Sequence, residues 1–404
     1  MRVTFVQYGG DYREAWERLA GGGKATYQAQ RYSVEFVASL AKRAEQVSVI
    51  CALTDVPYDV TLNSGVRAIG AGLQPGFDER SLIPLIESTG ADRLILVTPM
   101  AALLRWAARG RVRTLLTIAD SFNGRGLTDA LRNRRLGWLI NRPNIEWVGN
   151  HGIAACLSVA SIGVRNEKIV PWDWPPSHRP ADHPARTLST PNVPRLAYVG
   201  SISETKGVSD LLRAIEILKR GGWHANLTIV GSDSGDEMHD LAQRLDVLDR
   251  VTFAGVIANE DVPTVMRSAD AIVIPSRHEY PEGLPLTIYE ALAARTPIVA
   301  SDHPMFFGAL TKDKSAVVFR AGDAEALAGA IRRLFNDANL YARLSRNSER
   351  AWQALQLPVS WGDLISRWLA DDEASREWLR QHALFSGHYA EQIALRTDTD
   401  RRWV

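Results

Sequence analysis

ADAIVIPSRHEYPEGLPLTIYEALAARTPIVASD, residues 269–302, sets out four pieces of architecture in order. The run AIVIP is apolar and β-branched, the stretch to Pro285 is rich in charge, Pro and Gly, LTIYEALAA has helical composition, and TPIVASD opens another strand. Strand, loop, helix and strand make a βαβ unit, and short unbroken apolar strands of this kind are buried on both faces of a parallel sheet. Ligands in such sheets collect at the carboxyl ends of the strands. The loop from Arg277 and His278 to Glu282 is therefore where chemistry is expected.

The same alternation extends in both directions. Upstream of Pro171 it runs VTFVQY, a helix from about Thr26 to Arg43, QVSVICAL, GVRAIGAGL, a helix near Ser81, RLILVT, VRTLLTIA, NIEWVGN and the helix HGIAACLSVASIGV. Residues 171–194 then hold seven prolines, which neither a helix nor a central strand accommodates, and this stretch is expected to be the linker. Downstream the pattern restarts with RLAYVG and continues through ANLTIVG, RVTFAGV, DAIVIPS and AVVFRA, with helices between. The expected class is α/β, with two doubly wound Rossmann-like domains facing each other across a cleft. Their expected limits are residues 1–170 for the first domain, 171–194 for the linker and 195–355 for the second. Residues 356–404 form C-terminal helices that either end the second domain or cross back to the first, followed by a polar tail.

Composition narrows the class of molecule. In a chain of 404 residues, a hydrophobic fraction of 46% and a charged fraction of 23% describe a soluble globular protein, and no stretch has the roughly 20 apolar residues of a membrane span. Cys51 and Cys156 have no metal-ligand spacing and make no disulfide framework, and the N-terminus moves straight into a strand pattern, so a cytoplasmic location is expected. Net charge is only +1, yet residues 1–170 carry 21 Lys and Arg against 15 Asp and Glu, and nine of those arginines fall between Arg105 and Arg142. Leucines and tryptophans are interleaved with them. A segment of this composition either presents a solvated helix face or lies on an anionic membrane surface. Its aromatics are spaced as core residues and no reader motif is present, so no nucleic-acid partner is expected.

Two constellations carry chemistry. In YVGSISETKGVSDLLRAI a strand ends at Gly200, Ser201 opens a polar loop, and Lys206 stands just before a helix; free N–H groups, a helix dipole and a lysine are what an anion requires. In the opening segment Gly283, Leu284, Pro285 and Leu286 lead into another helix, with Glu282 in front and Glu290 eight residues further on. Two carboxylates beside an anion would repel it, so their own partners should be neutral hydroxyls, those of a sugar and a ribose.

Together with NHGIAACLSVASIGVRNEKIV, these segments resemble the retaining GT-B glycosyltransferases of family four, over most of residues 1–370 and most specifically in the second half. The resemblance implies transfer of a hexosyl group from a nucleoside diphosphate sugar, UDP-sugar in preference to GDP-sugar, to a hydroxyl acceptor. It implies no cofactor and no metal. Glu282 would contact donor-sugar hydroxyls, Glu290 the ribose, Gly283 to Leu286 the sugar and diphosphate, and Lys206 the diphosphate, with the base near Val256 and Ile257. Gly22 and Gly23, before the first long helix, match the family's glycine pair. The sequence departs from the family twice. Ser201 stands where the family carries an arginine, a charge for which Arg277 and His278 on the opposite loop are candidate replacements and equally candidate surface residues, and Ala119 stands where many members carry a histidine, beside Asp120 as candidate acid-base. The lone Asp-x-Asp, Asp398 to Asp400, lies in the polar tail. A lipid-linked acceptor in bacterial surface polysaccharide assembly fits the basic segment. The rivals are a non-catalytic donor-binding or scaffold subunit and an epimerase or phosphorylase of the same architecture.

Overall fold

A computed structural model describes residues 1–110, 112–122, 126–188, 193–232 and 235–397. They form two compact units. The first comprises residues 1–25, 29–175 and 357–393, and the second comprises residues 26–28, 176–356 and the described residues from Ala394.

In the first unit the strands are β1 (Arg2–Gln7), β2 (Gln46–Cys51), β3 (Tyr58–Thr61), β4 (Val66–Gly70), β5 (Arg93–Leu96), β6 (Arg113–Ile118), β7 (Ile145–His151) and β8 (Ile169–Trp172). They form one sheet of order β3-β4-β2-β1-β5-β6-β7-β8, parallel throughout except for β3, which pairs antiparallel with β4. Successive side chains leave a strand on opposite faces. Val6, Leu94, Leu96 and Leu116 accordingly enter one core layer while Phe5, Ile95 and Leu115 enter the other. Both layers are apolar, which is why the strands show unbroken apolar runs. The second layer is completed by helix Trp361–Ala370, whose Trp361, Leu364, Ile365 and Trp368 pack beside Val3 and Phe5. Ser360 and Asp363 close a capping box at its start.

Three expectations for this unit are corrected. The Pro-rich stretch does not begin as a linker, because Pro171 lies inside β8; as the edge strand, β8 needs no donor from that proline on its open side. Trp172 and Trp174, in the stretch expected to be the linker, belong to the first unit. Their rings meet edge-on at 4.9 Å, and Trp174 lies 5.5 Å from Trp361 within the first unit's own core. The first long helix spans Gln30–Leu40 rather than starting near Thr26, and Gly22 and Gly23 close the helix before it, Tyr12–Ala20. Gly22 has φ +83° and the Gly23 N–H reaches back to the Arg18 carbonyl, the pairing of a glycine-terminated helix end.

The second unit's strands are β9 (Arg195–Val199), β10 (Asn226–Val230), β11 (Val251–Gly255), β12 (Ala271–Ile274), β13 (Ile298–Ser301) and β14 (Ala316–Phe319). All pairings are parallel, in the order β11-β10-β9-β12-β13-β14. From β9 the chain winds outward to β10 and β11; from β12 it winds the opposite way to β13 and β14. Strand order therefore reverses between β9 and β12, and the crevice at the carboxyl ends of those two strands is the topological switch point.

Candidate functional site

Two loops meet at that crevice, 200–207 after β9 and 275–285 after β12. Gly207 holds them together: it caps helix Val208–Arg220 at φ +75°, and a Cβ there would collide with the Pro275 carbonyl. Only glycine takes that conformation without strain and lets the two backbones touch. On the other side of β9, Gly231 likewise abuts the Gly200 carbonyl.

Lys206 and Glu282, 76 positions apart in sequence, come together here. The Lys206 ammonium donates to Glu282 Oε1 at 2.6 Å, and the Ser276 hydroxyl donates to the same oxygen at 2.7 Å. Lys206 also lies 4.2 Å from the centre of the Tyr280 ring, on its face. Helix Leu286–Ala293 begins beside this pair with no side chain capping it, so its first N–H groups are available to a ligand. Leu284, Ile288, Leu292 and Ala293 are buried. Glu290, in its second turn, is partly buried, and among the described residues its carboxylate has no hydrogen bond or ion pair. Desolvation without a compensating charge pushes its pKa up to about 8.

Arg277 and His278 are not free to replace the cation absent at Ser201. Arg277 forks onto Asp210 with two hydrogen bonds of 2.7 Å and reaches Glu204 at 2.7 Å, an arrangement that raises its own pKa further. His278 Nε2 is bonded to Asp302 at 2.8 Å. Ser201 is exposed, its carbonyl accepting from the Tyr198 hydroxyl at 2.6 Å. Next to His278, the buried His303 has its pKa pushed down to about 4 by desolvation and bonds the Tyr280 carbonyl. Val256, 60% exposed, and Ile257 follow Gly255 at the end of β11, two strands from β9 and hence about 10 Å across the sheet.

Sequence reading missed Ser276, Tyr280, Asp210, Glu204, Asp302 and His303. Asp210 carried a signal, an acid in the first turn of the helix after Lys206, but its arginine partner lies 67 residues away and no spacing rule connects them.

In the first unit Asp120 follows β6. Its backbone carbonyl accepts from Asn150, while its carboxylate has no partner among the described residues and burial raises its pKa. Asp120 does not cap the next helix, Leu127–Ile140, which starts after Gly126. Gly22 and Gly23 serve the helix end described above rather than a helix start. Among the described residues no group of acids, histidines or cysteines converges as metal ligands, and Asp398 to Asp400 lie outside those residues. No described helix is long and apolar enough to cross a membrane. Within the Arg105–Arg142 segment, of which residues 111 and 123–125 lie outside the described residues, helix Leu127–Ile140 exposes Leu127 (87%), Leu131 (70%) and Trp138 (56%) along one face. Arg132, Arg134 and Arg135 are exposed beside them, and the Arg142 guanidinium lies 3.6 Å over the Trp138 ring.

Residues 181–351, which contain both loops of the switch point, match the family model described as glycosyl transferases group 1. This part of the chain is similar to that family. Among curated proteins, mannosylfructose-phosphate synthase of Agrobacterium fabrum is 31% identical over 181 residues, covering 43% of this chain and 38% of that protein. Glycogen synthase of Mycobacterium tuberculosis is 31% identical over 205 residues, covering 50% and 46% respectively. The matched stretches thus span less than half the length of these relatives. Among solved structures, sucrose-phosphate synthase of Thermosynechococcus elongatus superposes over 97% of this chain and 100% of its own with a TM-score of 0.65 at 19% identity. Anabaena HepE in complex with UDP and glucose covers 92% and 100% with a TM-score of 0.64 at 16% identity. At these identities the likeness is one of fold, and the fold is GT-B, with two doubly wound Rossmann-like units.

Proposed function

We propose that this chain is a retaining, metal-independent glycosyltransferase that moves a hexosyl group from a nucleoside diphosphate sugar, with UDP-sugar favoured over GDP-sugar, to a hydroxyl acceptor. The observation that carries this reading is Lys206 held against Glu282 beside an uncapped helix start at the switch point of a group 1 domain. Lys206 and the N–H groups around Gly283 to Leu286 stabilise the diphosphate as it leaves, and Glu282 and Glu290 accept hydrogen bonds from sugar and ribose; in the first unit, Asp120, its pKa raised by burial, is the acid-base candidate. The crystal structure of HepE with UDP and glucose supports a UDP-linked donor.

The acceptor proposed is lipid-linked, in bacterial surface polysaccharide assembly, reached from an anionic membrane surface that receives the Leu127–Leu131–Trp138 face and its arginines. WaaG, a structural neighbour at 16% identity and a TM-score of 0.62, is described as taking part in lipopolysaccharide biosynthesis. Sedimentation with phosphatidylglycerol vesicles, lost on replacing Arg132, Arg134 and Arg135 by Glu, is the expected result; no sedimentation of the unaltered protein would end the membrane part of the proposal.

Incubation with UDP-sugars and a hydroxyl acceptor, followed by proton NMR, tests the transfer. Retained anomeric configuration and full rate in EDTA are expected, and an inverted product or a strict divalent requirement would overturn this reading. A second reading, a donor-binding subunit that does not turn over, is favoured by Ser201, Ala119 and the commitment of Arg277 and His278 to acids. Donor binding with neither transfer nor slow hydrolysis would select it, and acceptor-free conversion of one UDP-sugar to another would select an epimerase.

A further inference from the structure

We infer that Tyr280 is a positioning residue for Lys206, holding the ammonium where the donor's diphosphate meets it, and that His303 locks the loop that carries Tyr280. The inference rests on the donor-binding reading above.

A lysine gives up much rotamer freedom when its ammonium is fixed, so an ammonium meant to meet an anion gains from being held in advance. Here Lys206 is approached from two directions: Glu282 Oε1 accepts one of its protons at 2.6 Å, and the Tyr280 ring covers another side at 4.2 Å. With its side chain 14% exposed, the cation is largely out of water, the condition under which a cation on a ring face is worth most. Its remaining protons are left for an anion. No other cation of these two loops is comparably placed, since Arg277 is forked onto Asp210 and His278 is bonded to Asp302.

The Tyr280 carbonyl accepts from the Glu282 N–H at 2.7 Å and from His303 Nε2 at 3.1 Å, so both of its lone pairs are used. The roles on His303 follow from its other nitrogen. Nδ1 accepts from the Met305 N–H at 3.2 Å, so the proton resides on Nε2 and is donated to Tyr280. The ring packs 5.0 Å from Phe306. Buried and neutral, His303 is a fixed donor that ties the loop after β12 to the turn after β13, and through one carbonyl it sets the position of both Tyr280 and Glu282. The Tyr280 hydroxyl has no partner among the described residues, which assigns the work to the ring.

Titration calorimetry of the full chain with UDP and with UMP tests this, because a role in placing Lys206 on the second phosphate separates the two ligands and general damage to the loop does not. Should the guanine form be the one that binds, GDP and GMP take their place. Tyr280→Leu is expected to lower the preference for UDP over UMP by about five- to twentyfold while leaving UMP affinity unchanged. Tyr280→Phe should keep the preference. His303→Asn, which retains an acceptor for the Met305 N–H but cannot reach Tyr280, should fall between. Equal losses for UDP and UMP in Tyr280→Leu, an unchanged UDP affinity, or Tyr280→Phe behaving as Tyr280→Leu would each overturn the assignment. Failure of the unaltered chain to bind UDP, GDP or ADP would instead remove the donor-binding reading, and this inference with it.

Discussion

Replacing Glu290 by glutamine should stabilise the protein by an amount that grows with pH. Desolvation, with no cation to offset it, pushes the carboxyl from 4.5 up to about 8. Between those values the folded state holds a proton that the unfolded state releases. Stability from this group is therefore greatest at low pH and falls as pH rises from about 4.5 to about 8, by about 1.4 kcal/mol per pH unit. By pH 7 the fall is about 3.4 kcal/mol; because Glu290 is only partly buried, about 2 kcal/mol is the working figure. Glutamine fills similar space and does not titrate. For a unit of this size, about 2 kcal/mol moves Tm by about 4 to 8 °C. Differential scanning calorimetry at pH 5, 6, 7, 8 and 9 should show the Glu290→Gln advantage widening up to pH 8 and then holding steady, in the transition that nucleotide also shifts. Ribose hydroxyls bind the ionised carboxylate better, so nucleotide binding near pH 7 should expel about one proton, seen as a buffer-dependent heat that the variant lacks. A stability gap that does not change between pH 5 and pH 8 would refute the reasoning, because it would mean the carboxyl is already ionised and solvated.

Other outcomes follow from single positions. Gly207→Ala forces a Cβ onto the Pro275 carbonyl at φ +75° and should cost more than about 1 kcal/mol in thermal melts, with nucleotide affinity falling too because the two loops must part. Asp371, which accepts from Arg113 and Arg376 at the end of helix Trp361–Ala370, is held well below the usual carboxylate range chiefly by its hydrogen bonds to Arg113. Its contribution is present above about pH 4 and lost as pH falls through the depressed value. Asp371→Asn, which tolerates the left-handed conformation there, should cost about 1 kcal/mol at pH 7 in urea titrations, progressively less as pH falls below about 4, and nothing only once pH is below the depressed value.

Strands such as QVSVICAL and DAIVIPS were legible in the sequence because a strand buried on both faces has no polar alternation to blur it, and their alternation with helical runs indicates parallel sheets. The edge strands were not legible. β3 is YDVT, short, mostly exposed and antiparallel, and β8 contains Pro171; neither carries the buried-strand signal. Gly22 and Gly23 were assigned to the helix after them, because a glycine that ends a helix and one that precedes a helix look alike in one dimension. At the site, Lys206, Glu282 and Glu290 could be named from motifs next to strand ends. The partners that decide what each residue is free to do could not. Arg277 looked available until Asp210, on a helix 67 residues upstream, was seen to hold it, and Tyr280 became visible only when the chain folded its ring over Lys206.

The central claim is that the switch point between β9 and β12 binds a nucleoside diphosphate through Lys206 and the helix starts beside it. Titration calorimetry of UDP, GDP and ADP against the protein and its Lys206→Ala variant tests it most directly. The account predicts saturable binding of one nucleotide, with the variant at least about tenfold weaker for the diphosphate. Binding that Lys206→Ala leaves untouched, or no binding of any of the three by a protein whose melt shows it folded, would contradict it.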